Sequence, residues 1–151
     1  MSKSASSKAN AALWVVQVIL GALFIFAGGM KLVVPIAVLA KQMPVALPAA
    51  FIHTIGVLEF AGGLGLILPG LLRFRPYLTP LAASGLVIIM SGAIGTSITT
   101  GPFKLAALPF AVGLLAASVA YGRARVVPLA QRDRSTRVHS ASARPLLHNA
   151  A

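Results

Sequence analysis

The chain has 151 residues, 58% of them hydrophobic and only 10% charged, with a net charge of +11 and no cysteine. Soluble domains carry roughly 45–50% apolar and about 25% charged residues, so this composition describes a membrane protein. The lack of cysteine excludes disulfide, thiolate, iron–sulfur and Cys-based zinc chemistry within the chain. Three histidines, His53, His139 and His148, are too scattered for a metal site. The basic residues flank apolar runs or fall in the tail, which points to lipid headgroups and topology, and no soluble domain remains to present them to nucleic acid.

In chain order, residues 1–10, MSKSASSKAN, read as a short polar, disordered segment. A first apolar run at 11–34 exceeds the roughly 20 residues needed to span a hydrocarbon core, and without a small-residue cleavage pattern it reads as a retained helix rather than a signal peptide. Pro35 stops it, because proline cannot donate its N–H. Residues 36–50 form a mixed connection in which 36–42 suggest a short interfacial helix. A second span is expected at 51–68, ended by Pro69 and followed by a basic turn carrying Arg73 and Arg75. A third is expected at 78–99, closed by the turn-forming Gly101-Pro102 pair, and a fourth at 104–121. Residues 126–151 have too few contiguous apolar positions for another span and read as an exposed basic tail. The expected fold is all-α, an integral membrane antiparallel four-helix bundle over residues 11–125.

Four spans put Lys3, Lys8, Arg73, Arg75 and the arginines from Arg123 onward on one side, and Lys31, Lys41 and Lys104 on the other. The positive-inside rule then places both termini in the cytoplasm.

Glu59 is one of only two acidic residues and lies inside an apolar run. A carboxylate near the bilayer centre costs about 2.5–3.5 kcal/mol on insertion scales, so it is normally paired, protonated or wetted. At 100° per residue, Gln17, Gly21, Phe24, Gly28 and Lys31 share one stripe of the first span. Gly56 and Gly63 align on the second, with Glu59 about 60° away. Ser84, Ile88, Ser91 and Gly95 align on the third, next to Gly85, Gly92, Thr96 and Thr99, and close helix packing is expected to bury these small-residue faces. Lys31 is the nearest cation for Glu59, although Glu59 lies about 12 Å of helix rise into its span. If the two do not meet, protonation or the hydroxyls of the third span would satisfy the carboxyl group. Trp14 and Tyr121 read as interfacial anchors.

The first-span motif FAGGMKL, with Phe26, Gly28, Lys31 and Leu32, and the second-span motif IGVLEFAGGLGLILPG, with Glu59, Gly62 and Gly63, together resemble the DoxX-like family of small bacterial membrane proteins. The resemblance extends over 13–129 and includes the trailing YGRARVVPL. It implies a plasma-membrane location and association with quinol oxidase, thiosulfate:quinone oxidoreductase or thiol-stress complexes. On this basis the chain is expected to be an accessory subunit without catalysis or cofactor of its own. A quinone-like or other hydrophobic ligand would bind near Lys31 and Glu59, with Gln17 and Ser91 as further candidate ligand-binding residues. A structural or assembly protein that meets a membrane partner through its small-residue faces is the alternative, and a small transporter is the third.

Overall fold

In the computed structural model, which describes residues 3–41, 43 and 46–129, five α-helices and two tighter or wider helical turns account for the secondary structure. They are α1 (Lys3–Val33), α2 (Ile36–Ala40), α3 (Ala49–Leu72), α4 (Leu78–Thr100) and α5 (Ala107–Tyr121). A 3₁₀ turn, Phe103–Ala106, leads into α5, and a π-helical turn, Gly122–Val126, follows it. Four helical segments are long and apolar enough to cross a membrane: Ser7–Val33, Ala49–Leu72, Leu78–Thr100 and Phe103–Val126. The fold is an all-α membrane bundle.

Prolines set two of the starts. Pro35 and Pro48 precede α2 and α3 with φ of -55 and -57, already close to the value a first helical turn needs. The expected ends shift in two places. Pro69 does not terminate the second span: it is buried inside α3, which continues one more turn to Leu72. A proline costs a helix one hydrogen bond, and packing against neighbouring helices makes that loss tolerable in membrane spans. The helix ends instead at Arg73, in a left-handed conformation with φ 50. The second correction concerns residues 1–10, expected to be disordered. Helix α1 begins at Lys3, because extending an established helix costs far less than nucleating one. Of the expected tail at 126–151, residues from 130 onward lie outside the described residues.

Helix α1 packs most extensively on α3 and α4 on α5, while α3 also packs on α4 and α5 closes against α1. The packing is antiparallel. Gly28 meets Gly56 and Phe60, Gly21 meets Gly63 and Ile67, and Trp14 meets Gly70. Leu20, Phe24, Leu66, Leu86, Met90, Ala116 and Val119 form the core between the helices. Large apolar side chains on the outside, such as Ile88 at 73% exposure and Leu108 at 73%, suit a surface solvated by lipid.

Gln17, Gly21, Phe24 and Gly28 are all buried, as the first-span stripe predicts, and so are Gly56 and Gly63. The third span departs from expectation. Ser84, Ile88, Ser91 and Gly95 are exposed, as are Gly85, Gly92 and Thr99. Helix α4 buries Thr79, Ala83, Leu86, Met90 and Ser97 instead. The outward hydroxyls need no neighbouring helix: Ser84 donates to the Pro80 carbonyl at 2.9 Å, Ser91 to Val87 at 2.9 Å and Thr99 to Gly95 at 3.0 Å. Bonding back along its own helix lets each hydroxyl face lipid without an unsatisfied donor.

Candidate functional site

Two polar clusters lie at opposite ends of the bundle, and the first contains the intramembrane acid. Lys31 occupies the last turn of α1, and Glu59 lies in the middle of α3. The close approach of the two helices brings them together. Lys31 Nζ donates to Glu59 Oε2 at 2.6 Å, and Glu59 is only 4% exposed. Gly56 lies beside this contact, and an added Cβ there would come within 2.8 Å of Lys31 Cβ. The missing side chain at Gly56 is therefore part of how the lysine reaches inward. The direct ion pair, one of two arrangements open from sequence, is the one formed.

The pair borders a cavity of about 480 Å³ between α3 and α4, closed on one side by Met43 and Leu47 of the connecting segment. Phe51, Ile55, Leu58, Ile88 and Ile89 supply most of its wall. Its other polar residues are Thr54, Thr96 and Ser97. Their hydroxyls are spent on helix carbonyls: Thr54 on Ala50 at 2.8 Å, and Thr96 and Ser97 on Ala93 at 2.9 and 2.8 Å. Among the described lining residues, the side-chain donors left for a guest are therefore those of Lys31. One N–H of its ammonium is used by Glu59, and two remain. Glu59 Oε1 accepts nothing from the described residues and offers the complementary acceptor.

Of the four residues singled out from sequence, Lys31 and Glu59 meet, and the other two lie elsewhere. Ser91 faces outward, bonded to Val87, and does not line the cavity. Gln17 is fully buried but belongs to the second cluster.

In that second cluster Gln17 Nε2 donates to the Leu66 carbonyl at 2.8 Å, and Gln17 Oε1 accepts from Arg123 Nε. Arg123 Nη1 also donates to Asn10 Oδ1 at 2.6 Å and to the Val127 carbonyl at 3.3 Å. The guanidinium lies 5.5 Å from the Trp14 ring centroid, within cation–π range. Arg123 is 3% exposed, which sequence reasoning missed by treating it as a flanking charge. A signal was available: Val112, Ala116, Val119 and Arg123 follow the i, i+4, i+7, i+11 spacing of one helical face, and all four are buried. Trp14, expected to anchor in the interface, is half-buried over Arg123 and Gly70.

Replacing Gln17 by leucine would strip Arg123 Nε of its acceptor. The expected cost is about 1–3 kcal/mol, the usual penalty for a buried unsatisfied polar group, read as a lower thermal midpoint in detergent.

An antiparallel bundle of four apolar helices with a charged pair held between its first two spans defines a multi-pass helical membrane protein. The DoxX-like family model matches residues 15–119, and the chain belongs to that family. Comparison with curated proteins and with solved structures gives no match. Among the described residues no group of three or more His, Cys, Asp or Glu side chains is placed to hold a metal ion.

Proposed function

We propose that the protein is a non-catalytic subunit of a membrane redox or stress-response complex that holds a quinone-like ligand in the cavity beside Lys31 and Glu59. One observation carries this reading: an apolar cavity between α3 and α4, open at its outer edge where Phe51, Leu58 and Ile88 are exposed, has its available side-chain donors concentrated on one ammonium, next to one uncommitted carboxylate oxygen. Its volume of about 480 Å³ falls in the range of small-molecule sites, roughly 300–1,000 Å³. A quinone carbonyl would accept from Lys31, and the hydroxyl of the reduced form would donate to Glu59. The apolar walls suit the ring and the start of a prenyl chain. Redox chemistry would belong to the ligand and to a partner, because this chain contains no cysteine.

Both termini are assigned to the cytoplasm of a bacterial plasma membrane. With Arg123 buried, the charge asymmetry that supports this orientation rests on Lys8, Arg73, Arg75 and Arg125 against Lys41 and Lys104, all exposed.

The test compares the quinone that co-purifies from membranes with wild type and with Glu59→Gln, quantified by chromatography after extraction. Glutamine keeps the shape and an acceptor for Lys31, so the variant is expected to insert and fold normally while its quinone content falls about tenfold, the loss of one charge-assisted contact. Equal quinone content in the two proteins would remove the ligand and leave the pair as a helix clamp.

A further inference from the structure

The cluster around Arg123 has a charge imbalance that the quinone site does not touch. Every acceptor it uses among the described residues is neutral: the Gln17 and Asn10 side chains and the Val127 carbonyl. Its Nη2 is buried without a hydrogen-bond partner. A buried cation without a counter-charge is costly, and in a span it normally marks a place where a partner arrives.

Immediately beside it lies a cavity of about 280 Å³, lined by Asn10, Trp14, Gly70, Arg73 and the segment from Val127 to Leu129. Three of these residues, Asn10, Trp14 and Val127, also touch Arg123. Because Asn10 spends Oδ1 on Arg123, its amide orientation is fixed and its two Nδ2 hydrogens remain available as donors. Arg73 brings a second guanidinium with no hydrogen bond to a described residue, whereas neighbouring Arg75 is engaged by the Tyr77 hydroxyl at 3.0 Å and by the Phe74 ring. Arg73 also holds φ 50, a conformation that glycine would adopt with less strain.

We infer that this cavity binds a phosphate-bearing anion, held directly by Arg73 and the Asn10 amide and neutralising Arg123 behind them. Its position at the end of the spans that carries Arg73 and Arg125 suits a phospholipid headgroup, and a soluble phosphate ester has the same chemistry. Arginine pairs with phosphate through two parallel N–H donors, which a lone lysine cannot reproduce.

The experiment uses the full chain in neutral detergent and measures binding by native mass spectrometry and thermal shift. The probes are phosphatidylglycerol, phosphatidylcholine and sn-glycerol 3-phosphate. Wild type is expected to prefer phosphatidylglycerol over phosphatidylcholine by about tenfold or more. Arg73→Gln should lose that preference, while Arg75→Gln loses less than about fivefold, the share of a diffuse surface charge. Competition by glycerol 3-phosphate would identify a soluble ester as the ligand, and its failure to compete would identify the lipid. Arg73→Gly separates binding from folding, since it should raise the ligand-free midpoint and still abolish the preference. Equal affinity for the two lipids with no binding of glycerol 3-phosphate, or equal losses in the Arg73 and Arg75 variants, would overturn the proposal.

Discussion

Replacing Gly28 by leucine is expected to separate α1 from α3 and cost about 3 kcal/mol or more, the upper end of what overpacking does. A Cβ at this position would meet the Phe60 nitrogen at 2.5 Å, the Gly56 oxygen at 2.6 Å and Phe60 Cα at 3.0 Å. All three are backbone atoms, so no rotamer change can make room. Gly63 repeats the pattern one turn and a half further along, against the Gly21 carbonyl at 2.8 Å and the Ile25 nitrogen at 2.9 Å. Even Gly28→Ala should therefore destabilise, although alanine is the better helix former by about 1 kcal/mol. The contrast is Gly95→Leu on α4, at an exposed position that does not line the cavity beside Glu59. Nothing lies within 4 Å of an added Cβ there, and the midpoint of the isolated protein should hold. Thermal melts of the two leucine variants in the same detergent make the comparison. A loss of binding to a membrane partner with Gly95→Leu, at unchanged stability, would favour an assembly role for the outward face of α4.

Lys31→Met carries the second large effect, about 3 kcal/mol, because it leaves Glu59 buried with no cation among the described side chains. Two estimates compete here. Breaking a buried ion pair in a soluble protein costs about 3–5 kcal/mol, while polar contacts between membrane helices average about 0.6 kcal/mol, because the unfolded state in lipid also finds partners. Burial decides between them, and it differs for the two ends. The Glu59 side chain is 5% exposed, while that of Lys31 is 21% exposed at the end of its helix and can extend toward the interface. Removing the lysine should cost near the lower soluble figure, and Glu59→Gln near the membrane average. The double change Lys31→Met with Glu59→Leu should recover most of the loss, since no charge is then left unpaired. Unfolding titrations of the three variants check this order, and equal losses for the two single variants would contradict it.

How far the sequence could be read depended on what each residue had to satisfy. The spans were legible because apolar runs bounded by Pro35, the Arg73–Arg75 turn and the Gly101-Pro102 pair leave little choice of register. The inner face of α1 was legible because Gln17 and Lys31 cannot face lipid, and the glycines beside them mark close contact. Helix α4 misled for the converse reason. Its Ser and Thr hydroxyls bond to carbonyls of their own helix and so are tolerated outside, which removes the information their spacing seemed to carry. Small residues then face lipid as readily as protein. Arg123 was illegible as a charge and legible as a position, since only its phase with Val112, Ala116 and Val119 turns it inward. The cavity beside Glu59 could not be read at all, because Met43 and Leu47 close it from a connection with no periodicity.

The most direct test of a guest at the Lys31–Glu59 pair is to map where a photoreactive quinone attaches in native membranes. Label should concentrate on the peptides holding Phe51, Ile55 and Leu58 and those holding Gly92, Ala93 and Thr96, and it should fall away in Glu59→Gln. Label scattered over outward-facing residues such as Leu108 and Leu114, at the same level in both proteins, would mean that the pair holds helices together and binds nothing.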